Sequence, residues 1–117
     1  MKIGAVSQAT GLTDRTIRYY IEEGLLQPEF TKNYTGRKSF DFTQEHVTLL
    51  HQISVLRKYG FSITDIKTIL ADPTQSGEIT QELIEKKKQT IQTEQMLLDT
   101  LLQLDKQKDY PLPELAE

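Results

Sequence analysis

Arg15, Arg18 and Tyr19 are spaced three and four residues apart, so on a helix they share one face. Ile17, Tyr20 and Ile21 recur at helical spacing behind them and form an apolar stripe. Guanidinium groups are planar, permanently charged and able to grip two oxygens at once. Set near the start of a short helix, with Thr16 and the Tyr19 hydroxyl beside them, they suit contact with a nucleic-acid backbone or base edge. Thr13 stands just ahead as a helix cap whose hydroxyl can also face a phosphate. Glu22, one turn beyond Arg18, offers the ordinary surface alternative of an i,i+4 ion pair.

A second cationic group follows. Lys32, Arg37 and Lys38 surround Asn33, Tyr34 and Gly36, residues that form tight turns. From Phe30 to Phe42 the pattern is that of a β-hairpin, with Phe40 and Phe42 alternating with Ser39 and Asp41. A charged hairpin beside a helix-turn-helix is a wing, and Lys32, Tyr34, Arg37 and Lys38 are its candidate DNA contacts.

These two groups need a scaffold, and punctuation residues lay it out. A first helix is expected from Ile3 to about Thr10, stopped by Gly11; Leu12 turns inward, and a second helix spans residues 14–23. Helix, glycine turn, helix is the helix-turn-helix layout. Val6, Leu12, Ile17 and Tyr20 are its candidate core. Gly24 ends the second helix, Leu25 and Leu26 return to the core, and Pro28 blocks continuation. Thr43 caps a third helix carrying Leu49, Leu50, Ile53 and Leu56, closed at Gly60. Ser62 caps a fourth, Ile63 to Ala71, with Ile63, Ile66, Ile69 and Leu70 expected inside.

After a loop over Thr74–Gly77, a long helix is expected from about Glu78 to Lys108, roughly 45 Å at the rise of an α-helix. Ile84, Ile91, Leu98 and Leu102 mark one stripe; Leu83, Leu97, Leu101 and Leu104 lie beside it. The heptads are imperfect, since Lys88 and Gln95 fall near the stripe. Such a helix buries its leucines against a copy of itself or folds back on its own domain. Three segments follow: a head over 1–72, a linker and long helix over 73–108, and an extended, mobile tail over 109–117 with Pro111 and Pro113.

A net charge of −3 speaks against a nucleic-acid binder until its distribution is read. Residues 1–72 hold nine Lys/Arg against eight Asp/Glu; residues 73–117 hold five Lys against nine Asp/Glu. Acidity gathers in the second part, as expected if only the first meets phosphate. Cysteine is absent, which removes disulfides and thiolate metal sites. His46 and His51, five apart, share no helical face and read as surface or boundary histidines rather than a metal pair. No apolar run approaches a bilayer span, and Met1-Lys2-Ile3-Gly4 opens no signal peptide, so a cytoplasmic location is expected. No nucleophile–base pair, paired carboxylates or phosphate loop suggests an enzyme, and no cofactor is implied.

Several spaced motifs resemble the MerR family of bacterial transcription regulators. They are Lys2-Ile3-Gly4-Ala5-Val6, Thr10-Gly11-Leu12-Thr13, Thr16-Ile17-Arg18-Tyr19-Tyr20 and Gly24-Leu25-Leu26-Gln27-Pro28. Leu56-Arg57-Lys58-Tyr59-Gly60-Phe61-Ser62-Ile63 and Ile66-Lys67-Thr68-Ile69-Leu70 continue the match, which covers residues 2–71. The resemblance implies a mainly α protein: a winged helix-turn-helix head of four helices and a short hairpin, then a long helix pairing antiparallel in a homodimer. It further implies that residues 14–23 enter the major groove while the wing, residues 32–40, meets the flanking backbone. The site would be a pseudo-palindromic promoter, distorted so that RNA polymerase can use it. Ile84, Ile91, Leu97, Leu98, Leu101, Leu102 and Leu104 would form the dimer seam.

The chain departs from the pattern twice. Family wings commonly read Gly-Tyr-Arg-x-Tyr-Ser; here the stretch is Gly36-Arg37-Lys38-Ser39-Phe40-Asp41-Phe42-Thr43, and if Phe42-Thr43 match Tyr-Ser the arginine's place falls on Phe40, which leaves open the wing residue that does its work. Drug-sensing members carry an extra domain after the long helix and metal sensors a cysteine-bearing loop; neither is read in these 117 residues, and no effector is legible. An architectural or excisionase-like DNA-binding protein without effector sensing is the alternative reading. A third is a protein-interaction module using a winged helix without DNA.

Overall fold

Polar caps and left-handed glycines divide the first part of the chain into helices. The computed structural model describes residues 1–107; the tail expected over 109–117 lies outside the described residues. Helix α1 (Ile3–Thr10) stops where Gly11 takes φ 74° and its N–H bonds the Ser7 carbonyl at 2.9 Å. Glycine enters this left-handed conformation without the penalty a Cβ brings. Leu12 and Thr13 complete the turn. The Thr13 hydroxyl oxygen then accepts the Thr16 N–H at 3.1 Å and starts α2 (Asp14–Glu22). Thr13→Ala should therefore cost about 1 kcal/mol. A urea melt reads that loss directly, and an unchanged midpoint would deny the cap.

Past Gly24, the Leu25 N–H reaches back to the Tyr20 carbonyl at 3.0 Å and sends Leu25 and Leu26 into the core. Strands β1 (Glu29–Lys32) and β2 (Lys38–Asp41) pair antiparallel, with Phe30 opposite Phe40 and Lys32 opposite Lys38. Asn33 closes the tip. Its N–H bonds the Arg37 carbonyl, and its Oδ1 accepts the N–H groups of Thr35 and Arg37, each at 3.0 Å. Phe42 then donates to the Met1 carbonyl at 2.7 Å, and the Met1 amino group donates to the Phe42 carbonyl at 2.8 Å. The chain's first residue thus splints the end of the hairpin.

Helix α3 (Gln44–Lys58) opens on a reciprocal cap: His46 N–H bonds the Thr43 hydroxyl, and the Thr43 N–H bonds His46 Nδ1 at 3.0 Å. Histidine here does what Glu or Gln does in the usual capping box. Helix α4 (Ile63–Ala71) repeats the device with Ser62 and Asp65. Val6, Ile17, Leu50, Ile53 and Ile66 are completely buried, so all four helices meet in one small core, with Phe40 and Phe42 entering from the hairpin side.

Three expectations are corrected. Val47, not singled out in the sequence, is buried. Leu70, expected inside, is 39% exposed, and Ile63 and Ile69 are only partly covered. Helix α4 has nine residues and presses its Ile66 face inward, which leaves the next turn at the edge. The expected loop over Thr74–Gly77 is instead a 3-10 turn, Pro73–Gln75, running straight into α5 (Ser76–Lys106), so Gly77 lies within the helix. The Asp72 carboxylate winds that turn by accepting the Thr74 N–H at 3.2 Å and the Gln75 amide at 3.1 Å.

The chain divides into two units, Met1–Ile79 and the stretch from Thr80 onward. In the second, α5 buries none of its residues. Among the described residues no helix is long and apolar enough to cross a membrane.

Candidate nucleic-acid interface

The stripe that anchors α2 fixes what its other face presents. Ile17 is fully buried and Tyr20 nearly so, which turns Arg15 and Tyr19 outward; Tyr19 is 44% exposed. Thr16 is partly covered and bonded to Thr13, whose hydroxyl donates to Thr16 Oγ1 at 2.9 Å. Thr13 itself is exposed, so capping leaves it within reach of a backbone. Arg18 does not pair with Glu22 among the described residues. It lies half-buried with its guanidinium carbon 5.6 Å from the Phe40 ring centroid. Glu23, not Glu22, takes the helix's cation partner, Lys67 on α4, at 3.6 Å.

On the wing, Lys32, Arg37 and Lys38 are exposed and Tyr34 is fully so. The Lys38 ammonium sits 4.2 Å above the Phe30 ring. Lys32 and Lys38 are directly opposed across the hairpin. That like-charge pair is unfavourable unless an anion lies nearby, and the turn of Lys38 onto Phe30 relieves part of it.

The helix and the wing are brought together. A cleft of about 480 Å³ is lined by Asp14, Arg15, Arg18, Tyr19, Glu22 and Arg37. Its neighbour, about 330 Å³, is lined by Lys2, Arg18, Asn33, Arg37, Lys38 and Phe40, among others. Arg18 and Arg37 line both. The net charge of the head understates this local clustering: Lys2, Arg15, Arg18, Arg37 and Lys38 line two adjoining clefts beside Asp14 and Glu22, whereas Lys32 lines neither.

Sequence reasoning missed Lys2, which lines the second cleft and pairs with Asp41 at 2.9 Å. No periodicity signals a contact across 39 residues. The Lys2 hydrogen bond, and then its charge, hold the Asp41 carboxyl below its ordinary 3.8. A carboxyl lowered in the folded state stabilises the fold above the ordinary range, and that contribution disappears as pH falls through the lowered value. Lys2→Met should return Asp41 to the ordinary range in a carbon-detected NMR titration. An Asp41 resonance that titrates unchanged would dismiss the pair.

The residues expected in a dimer seam are placed on α5. Ile84, Ile91, Leu97, Leu98, Leu101 and Leu102 are 38–68% exposed, and Leu104 is partly covered. Among the described residues no group of three or more His, Asp or Glu could hold a metal ion.

A helix-turn-helix whose second helix shares a cationic cleft with a neighbouring hairpin defines the winged helix-turn-helix class. Residues 1–72 match the family described as MerR HTH family regulatory protein, and the chain belongs to that family. It is similar to the HTH-type transcriptional regulator ZntR homolog of Haemophilus influenzae, 36% identical over 87 residues, covering 71% of this chain and 62% of that protein. It is similar also to nodulation protein NolA of Bradyrhizobium elkanii, 30% identical over 100 residues, covering 86% of this chain and 44% of that one. The chain thus spans about half the length of these curated relatives. Among solved structures it resembles EcmrR, in an EcmrR–DNA complex in EcmrR-RPo, with a TM-score of 0.73 and 31% identity over 92% of this chain and 40% of that one.

Proposed function

We propose that this chain is a dimeric, sequence-specific transcription regulator of double-stranded DNA rather than an enzyme, acting in the cytoplasm. The observation that carries this is the joining of Arg15, Arg18 and Arg37 in one cleft between α2 and the wing of a MerR-family head. Residues 1–72 serve as the DNA-binding head. Helix α2 enters the major groove, with Arg15 toward a base edge and Arg18 on phosphate; Thr13, Thr16 and Tyr19 contact the backbone. Lys32, Tyr34, Arg37 and Lys38 hold the flanking backbone. Arg37 takes over the work of the family's wing arginine, since it alone among the wing cations lines both clefts.

The stretch 73–108 provides the dimer. Its exposed aliphatic side chains on α5 are covered by the same helix of a second copy, antiparallel as in the family. Two heads related by a two-fold axis read a pseudo-palindrome. The DNA-bound state of the similar EcmrR supports this reading, as does the regulator description of the family. Distortion of a promoter, bringing its elements into register for RNA polymerase, is the mode of action we assign.

The test is repeated selection of bound duplexes from a randomised pool. Recovered sequences should converge on an inverted repeat. Recovery of all sequences alike would overturn sequence-specific regulation in favour of an architectural role.

A further inference from the structure

Two cations of the cleft are already seated in the free protein. Arg18 lies over Phe40 and Lys38 lies over Phe30. The two rings are cross-strand partners and meet edge to face, their centroids 6.0 Å apart. One aromatic pair therefore carries a recognition-helix cation on one ring and a wing cation on the other. With Phe42-Thr43 set against the family's Tyr-Ser, Phe40 falls where that pattern has an arginine, and its ring holds the arginine of α2 instead.

We propose that the Phe30–Phe40 pair is a positioning device that fixes Arg18 and Lys38 as a two-pronged phosphate clamp linking α2 to the wing. The inference rests on the DNA-binding reading and goes beyond it, because neither phenylalanine is itself a DNA contact. The physical reason is twofold. A guanidinium held over a ring by the ring's quadrupole gives up none of its N–H groups to a hydrogen-bond acceptor, so they can grip phosphate oxygens. A long side chain held in place before binding also loses less freedom on binding, worth about two- to tenfold in affinity for each prong. The edge-to-face contact further makes the α2 prong and the wing prong parts of one packed unit.

The experiment has a DNA-free arm and a DNA arm. In the free protein, the ring currents of Phe40 and Phe30 should displace the Arg18 Nε–H and Lys38 ε-methylene resonances upfield. Phe40→Leu should abolish the first displacement and Phe30→Leu the second. In the DNA arm, binding to a labelled mixed-sequence duplex at low salt is read by fluorescence anisotropy. Phe40→Leu should weaken binding about two- to tenfold in the native background and not at all in Arg18→Ala. Phe30→Leu should behave likewise with Lys38→Ala, and Phe30→Tyr should restore binding.

Equal weakening with and without the cation would reduce the rings to mere structure and overturn the proposal. So would undisplaced resonances in the native protein. Phe40 is largely buried, whereas Phe30 is 47% exposed; if Phe40→Leu fails to fold, the Phe30 arm decides. Displaced resonances with no salt-dependent duplex binding by the native protein would overturn the DNA-binding reading, and the clamp with it, leaving the ring contacts as structural alone.

Discussion

Leu98→Asp combined with Leu102→Asp should convert the protein to a monomer and weaken operator binding about a hundredfold or more. Leu98 and Leu102 are about half exposed and one helical turn apart on α5. In a paired helix each would be desolvated, and a carboxylate placed there would lose its water without gaining a partner. The effect on DNA follows from linkage. Once one head of a dimer is bound, the second meets its half-site at a high effective concentration, and a monomer forfeits that gain. Light scattering and a duplex titration on the same preparation measure both consequences. A dimer that persists would exclude this face of α5 as the seam. A monomer that binds as tightly as the native protein would deny that the two heads act together.

Arg18→Ala should weaken DNA binding about ten- to a hundredfold and reduce the slope of log affinity against log salt by about one. The slope counts counterions released from the duplex, so losing one phosphate contact removes roughly one of them. The melt should hardly move: Arg18 makes no ion pair among the described residues, and its one packing contact of note is the Phe40 ring. Tyr20→Ala would be a poor substitute for this experiment, because Tyr20 is 7% exposed and its loss would unsettle the core. Arg18→Lys should recover part of the affinity, since an ammonium keeps the charge but lacks the planar fork. An unaltered salt slope in Arg18→Ala would remove this residue from the contact surface.

Both predictions rest on features that the sequence makes visible to unequal degrees. The boundaries of α1 to α4 were legible because their determinants are local, whereas the start of α5 was not. Thr13, Thr43 and Ser62 cap the helices that follow them, and Gly11 leaves α1 with the positive φ that glycine tolerates. The outward face of α2 was legible from the stripe behind it, and Ile17 and Tyr20 are buried as that stripe requires. What the side chains do across elements was not legible. Arg18 has a local candidate in Glu22, yet it turns to a ring 22 positions away in the chain. Lys67 likewise pairs with Glu23 rather than with a neighbour on its own helix. Periodicity reports which face is apolar; it is silent on which residue of another element lies opposite. Leu70 shows the same limit, since an apolar residue near a helix end is covered only if another element reaches it.

Part of the exposed apolar surface of the head follows from that edge. Val55, Leu56, Ile69 and Leu70, with His51 and Gln52, line a shallow groove of about 480 Å³ between α3 and α4. The cationic clefts and this groove use different elements of the same small core. Substitutions in one should leave the other intact.

A hydroxyl-radical footprint of the native protein on a duplex recovered by selection probes the two-headed grip most directly. Two protected patches should lie on one face of the helix, a whole number of turns apart and related by a dyad, with Arg18→Ala thinning both equally. Protection of a single patch, or even protection along the whole duplex, would contradict a symmetric pair of winged heads.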